Sequence, residues 1–268
     1  MIQLEEEIQF ADKRIRTASG MFLYNHRLFL ICDDQFGIYE WSETKGWNFH
    51  RWPRAPAENS NYLQQKKIKL DLECLGVTSD GEKILAFPSG STVIRNLGLT
   101  LNLNTSEVEE VNLEKWFQMI GKVVSPINIE GYCQFDGCIY LLNRGVQNRK
   151  SVLIKMNLSG TDIVSTTELD FGFISGVRAH GTELTGFKDH LFALLSSEDT
   201  NDSYNDGEVL GSGVAEFNFS RMKFKKPLLF DQNIKAEGLV IWKDRILVCS
   251  DPDGAGPSQF FSAEIPID

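Results

Sequence analysis

AEGLVIWKDRILVCSD, residues 236–251, runs small residue, Glu, Gly, apolar strand, two-residue turn, second apolar strand, polar end. Residues 18–33 (ASGMFLYNHRLFLICD) and 129–144 (IEGYCQFDGCIYLLNR) repeat it. So do residues 181–196 (GTELTGFKDHLFALLS), with Thr182 in the Glu position, and residues 72–91 (LECLGVTSDGEKILAFPSGS), with a longer turn. The first apolar residue after each turn is Leu28, Ile84, Ile139, Leu191 and Ile246, giving spacings of 56, 55, 52 and 55 residues. A fixed period of this size signals a solenoid, propeller or array. Each unit is a β-hairpin, its short apolar runs meeting at Asn-His, Asp-Gly or Lys-Asp. Hairpin repeats without helical partners point to propeller blades.

Third strands are expected at 36–41, 97–103, 151–158, 213–219 and 259–265, and more charged outer strands at 47–52, 107–113, 162–169 and 222–230. The last blade lacks its outer strand, which IQLEEEIQF at 2–10 can supply, so that the termini close the ring. The expected fold is all-β, a β-propeller of five four-stranded blades in a single domain spanning 1–268. A sixth blade stays open as an alternative, because residues 53–70 have room for a degenerate strand pair. Asn112 can cap a helix in which Leu113, Trp116, Phe117 and Ile120 share a face. That helix either packs over a blade edge or forms a lid.

The net charge of −10 argues against a nucleic-acid backbone or an anionic membrane as the main partner. No apolar run has the length of a transmembrane helix, and the acidic N-terminus lacks a signal-peptide core, so a cytoplasmic protein is expected. The five cysteines show no Cys-x-x-Cys spacing and read as small buried thiols. Lys66, Lys67 and Lys69 read as a solvated strand face.

The inner strand of a blade lines the channel, so the residues opening those strands form a ring: Ser19, Glu73, Glu130, Thr182 and Glu237. Glu183, one position on, can stand in for Thr182 through a local bulge. The second strands end at the same mouth with Asp33 and Asp34, Ser89 and Ser91, Asn143 and Arg144, Glu198 and Asp199, and Asp251 and Asp253. Two carboxylates ~6 Å apart at an effective dielectric of ~20 repel by about 3 kcal/mol. A hard cation such as Ca²⁺ held by Glu73, Glu130 and Glu237 would offset this. So would Arg95, Arg144 and Arg178, placed in loops near the mouth, or partial protonation. A purely structural reading has each Glu tying down backbone amides.

The stretch 196–213, SSEDTNDSYNDGEVLGSG, reads as a long carboxylate-rich loop that matches no EF-hand. No Gly-x-Ser-x-Gly elbow and no phosphate loop occurs. Of the four histidines only His180 lies near the mouth; His26 and His190 fall in turns and His50 in an outer strand.

The cassettes LECLGV, NIEGYC and KAEGLV, with the 196–213 stretch, resemble an uncharacterised bacterial β-propeller family related to phytase-like propellers, over essentially the whole chain. The Glu-Gly opening is also similar to that of gluconolactonase-like propellers, where it places a metal-ligand Glu. The resemblance implies calcium in or near the channel, with Glu73, Glu130 and Glu237 as ligands, and hydrolysis of phosphoesters or lactones. Ser19 and Thr182 depart from the pattern, and the His- or Lys-rich phosphate sites of phytases are absent.

Two functions follow as expectations. One is a small-ligand-binding propeller with a carboxylate/arginine site at the mouth. There Arg95 and Arg144 orient a small anionic molecule, and His180, Glu183, Glu198, Asp199 and Asp251 complete the site. The alternative is a non-enzymatic scaffold presenting Trp52, Pro53 and Tyr62 to a protein partner.

Overall fold

The computed structural model describes residues 1–56, 69–92, 95–146, 148–199, 207–252 and 256–266. Five blades stand around one axis. Blade 1 consists of Ala18–Tyr24, Arg27–Cys32, Gly37–Ser42 and Gly46–Arg51, from the inner strand outward. Blade 2 consists of Leu72–Val77, Lys83–Pro88, Leu97–Asn102 and Val108–Asn112. Blade 3 consists of Ile129–Phe135, Cys138–Asn143, Ser151–Asn157 and Ile163–Leu169. Blade 4 consists of His180–Phe187, His190–Asp199 and Glu208–Asn218, with an outer strand split into Lys223–Phe224 and Leu228–Leu229. Pro227, which cannot donate a ladder hydrogen bond, lies in that split.

Blade 5 consists of Ala236–Trp242, Arg245–Ser250 and Phe260–Glu264, and the N-terminal segment supplies its outer strand. The ring closes as expected, with a shorter clasp than residues 2–10. Glu5–Glu6 alone of this segment pairs with blade 5, Glu5 opposite Ser262, while Ile2 bridges to Phe230 and Ile8–Phe10 turns into a 3₁₀ segment. That turn is useful to the fold. It drops fully buried Phe10 between blades 5 and 1, where it meets Trp41 at 4.8 Å, Phe260 at 5.8 Å and Trp242 at 5.9 Å. Upstream, Leu4 packs between blades 4 and 5, so one segment seals both flanks of the last blade.

The core consists of five clusters, one at each blade interface. Phe29 and Ile31 pack toward blade 2, while Leu28, Leu30 and Cys32 pack toward blade 5. A strand covered on both faces needs apolar residues at every position, which is why the second strands read as unbroken runs such as RLFLIC. The Asn25–His26 and Lys243–Asp244 turns have positive φ at both residues, as the tightest hairpin connection requires. The helix forms at Glu114–Ile120, and the Asn112 side chain accepts the Glu114 N–H at 2.8 Å. Phe117 and Ile120 are buried between blades 2 and 3, and Trp116 stacks on Phe87. Packing over a blade edge is thus the role it takes.

The stretch 196–213 differs from the expected loop. Ser196 to Asp199 pairs with Glu208 to Ser212, so the second and third strands of blade 4 continue as a raised hairpin; residues 200–206 lie outside the described residues. A short extra hairpin, Phe173–Ile174 with Val177–Arg178, abuts it through Ser197, whose hydroxyl donates to the Val177 carbonyl. No helix among the described residues is long and apolar enough to cross a membrane.

Candidate functional site

Every inner strand carries a β-bulge at the same place: between Ala18 and Gly20, Leu72 and Cys74, Ile129 and Gly131, Gly181 and Glu183, and Ala236 and Gly238. The extra residue in each is Ser19, Glu73, Glu130, Thr182 or Glu237, the ring read from the repeat. A bulge re-aims a side chain that would otherwise follow the strand's alternation. The Ser19 hydroxyl donates to the Leu72 carbonyl at 2.6 Å and that of Thr182 to the Ala236 carbonyl at 2.9 Å, each tying its blade to the next. Thr182 therefore holds its own position, and Glu183 does not replace it.

Two of the three bulge glutamates, Glu130 and Glu237, stand beside cations. Arg144 stands 2.6 Å from Glu198 and 3.6 Å from Glu130. Lys235 stands 3.7 Å from Glu237 and 3.6 Å from Asp251. Lys69 bridges Asp33 at 2.6 Å and Asp71 at 2.8 Å, and Arg95 takes the other oxygen of Asp71 at 2.8 Å. The Ser89 hydroxyl also donates to Asp71, and Ser91 accepts from Arg95. Asn128 donates to Glu130 at 2.6 Å. Of the residues expected at the site, Glu73, Glu130, Glu237, Arg95, Arg144, Glu198 and Asp251 meet at this mouth.

Others do not. Asp199 is exposed and takes no part in these ion pairs among the described residues. Arg178 pairs with Asp170 at 2.7 Å and stacks on Phe173, on the extra hairpin. His180 is buried, with its ring against Gly145. Glu183 is 1% exposed on the channel axis. Asp253 and Tyr62 lie outside the described residues, as do Lys66 and Lys67. Lys69 corrects the reading of a solvated face, since its ammonium is held inside the mouth by two carboxylates. Lys235 and Asp71 were missed. Their shared signal is position: each lies two residues before the bulge residue, where the chain enters the inner strand at the mouth.

The protonation pattern follows from burial. Burial pushes Glu73 well above the usual carboxylate range, and the charges of Asp71, Glu130 and Asp33 push it further against the opposing effect of Lys69. Burial likewise raises Glu130 despite Arg144, and Glu237 despite Lys235 and Arg144. Burial opposes the charge of Glu198 too, but Arg144 and Lys235 outweigh it and hold that carboxylate ionised. The repulsion foreseen in a ring of acids is thus relieved by four cations, and burial further favours the neutral forms of Glu73, Glu130 and Glu237.

Calcium can be weighed against the same geometry. Asp33, Asp71 and Glu73 offer ligand oxygens within 4.8 Å of one another, and they are the sole such trio among the described residues. Glu130 and Glu237 are not part of it. The Lys69 ammonium already bridges two of the three, so an ion there would have to displace it.

No curated protein sequence matches the chain. Among solved structures, the fold is similar to a putative glycoside hydrolase from Parabacteroides distasonis at 9% identity and a TM-score of 0.57, covering 100% of this chain and 98% of that one. It is also similar to a luciferin-regenerating enzyme at 8% identity and a TM-score of 0.54, with 98% and 95% covered. An arabinanase from Bacillus subtilis is similar at 10% identity and a TM-score of 0.52, with 94% and 95% covered. At such identities the likeness concerns the propeller arrangement. Residues 14–265 match the pattern of a family described as being of unknown function, DUF6929, and the chain belongs to that family.

Proposed function

We propose that this propeller binds a small molecule at the charged mouth and hydrolyses it by acid–base catalysis, with Glu73 as proton donor. One observation carries the reading. Among the described carboxylates of the mouth, Glu73 alone makes neither a hydrogen bond nor an ion pair, yet it is partly open to solvent and its environment favours the protonated form. A reachable, unengaged proton is what a leaving oxygen needs. Two blades round the ring, Glu198 is held ionised and can take a proton from water. Carboxyl groups whose surroundings drive them to opposite protonation states divide into acid and base.

The bond broken is assigned to an ester, lactone, phosphoester or glycosidic linkage, the last by likeness of fold to a putative glycoside hydrolase and an arabinanase. An anionic substrate would be held by exchange with Glu198 on Arg144 or with Asp71 on Arg95, one charge-assisted pair for another. A neutral substrate would leave those pairs intact. A panel of lactones, phosphoesters and glycosides tests the reading, with product release measured for wild type and Glu73→Gln. The expected loss in the variant is about 10²-fold or more on whichever class is turned over. Equal rates, or no turnover and no thermal shift with any class, would overturn it.

A second reading, calcium binding, is favoured by the Asp33–Asp71–Glu73 trio. In it the ion takes the place of the Lys69 ammonium and would supply Lewis acidity and an activated water. Calcium titration by calorimetry should then show weak binding to wild type and tighter binding to Lys69→Met. No heat with either protein removes the metal.

A further inference from the structure

The residue after each bulge is Gly20, Cys74, Gly131, Glu183 and Gly238. Three of these are glycine because the inner strands crowd together around the axis. A β-carbon at Gly20 would lie 2.9 Å from the Glu73 carbonyl of blade 2. At Gly131 it would lie 2.9 Å from the Leu184 nitrogen of blade 4, and at Gly238 3.0 Å from the Met21 nitrogen of blade 1. The Glu-Gly and Ser-Gly pairs in the repeat thus have a shared cause: the first residue turns to the mouth, and the second lets the next blade approach.

Blades 2 and 4 lack the glycine, blade 2 carrying the small buried Cys74 and blade 4 the far larger Glu183. The blade 4 side chain at this level is a carboxyl, 1% exposed, reaching over Gly20 of blade 1. One oxygen accepts the Leu184 N–H at 2.8 Å, while Oε2 has no hydrogen-bond partner. We propose that Glu183 is a pH-sensitive pin on the propeller axis, which closes the channel beneath the mouth while it carries a proton and loosens blade 4 from blades 1 and 3 when it loses it.

The surroundings support this. The ionisable groups that share its electrostatics are Glu130 and Cys133 of blade 3, Cys74 of blade 2 and Cys249 of blade 5, none of which is cationic. Glu73 and Glu237 stand in the bulge layer next to it, and blade 1 offers the Met21 amide and Ser19. Burial works most strongly against ionisation, while the amides of Leu184, Tyr132 and Met21 favour it; burial prevails. The fold therefore keeps a proton that the unfolded chain gives up near 4.5, and this contribution to stability falls as pH rises through that value toward the folded one.

The test is a series of thermal melts from about pH 5 to about pH 9 on wild type, Glu183→Gln and the control Glu73→Gln. Glu183→Gln keeps the shape and removes the titration. Its melting temperature should exceed that of wild type by a margin that widens with pH, reaching roughly 2–5 °C at the alkaline end. A curve parallel to wild type would assign the pH dependence to the mouth acids and overturn the pin. Hydrogen exchange on wild type alone gives a second reading. Protection of the Met21, Tyr132 and Leu184 amides should fall with pH beyond the intrinsic chemical rise, and protection tracking only that rise would also overturn the proposal.

Discussion

Blades 1 and 4 differ from blades 2, 3 and 5 at one structural position. The backbone is the same in all five, a bulge at the start of the inner strand. In blades 1 and 4 the bulge carries a hydroxyl that donates to the carbonyl of the next blade. In blades 2, 3 and 5 it carries a glutamate that joins the charged mouth. A repeated backbone device thus delivers a side chain to the same ring, and residue type decides whether it joins blades or builds chemistry.

The largest test of this contrast lies on the acidic side. Arg144→Met leaves Glu130 and Glu198 facing each other without their guanidinium. The expected loss is about 3–5 kcal/mol in denaturant unfolding, as for a buried ion pair stripped of one partner. A loss no greater than that of a hydroxyl variant would mean that water or protons already balance the acids. The hydroxyl side comes next. Thr182→Val keeps the shape but leaves the buried Ala236 carbonyl without its side-chain donor, an expected cost of about 1–3 kcal/mol, with Ser19→Ala similar through Leu72. A neutral result would mean that blade packing alone fixes the spacing. The smallest effect is expected on the opposite face. Lys243→Ala removes the exposed pair with Glu43 and should leave the melting temperature unchanged within error, which sets the scale for the other two.

Much of the fold was legible because a propeller writes its period into the chain. Both faces of each blade are buried, so the second strands are apolar throughout and their spacing can be counted. The missing outer strand of blade 5 was also legible, since a four-stranded unit lacking one strand needs another segment to complete it. Less legible was the way residues 1–10 do this, with two paired residues followed by a turn that buries Phe10. The raised hairpin of blade 4 reads as loop from its sequence, because a composition rich in Ser, Glu and Gly masks strands held by pairing.

The site divides along the same line. The repeat placed Glu73, Glu130 and Glu237 on one ring and brought Arg144, Glu198 and Asp251 to the same mouth. The pairs that cross from one blade to another could not be read, because their partners are far apart along the chain. Lys69 reaches Asp33 36 positions away, and Arg144 reaches Glu198 54 positions away. Glu183 was equally opaque: one residue beyond Thr182, it faces the axis, and only the bulge decides this.

By itself the sequence determined the period, the hairpin unit and the ring position of each bulge residue, because these follow from local alternation repeated five times. The tertiary structure decided which carboxyls are driven toward the neutral form and which are paired. That depends on burial and on distances of a few ångströms between blades, and neither exists until the ring has closed.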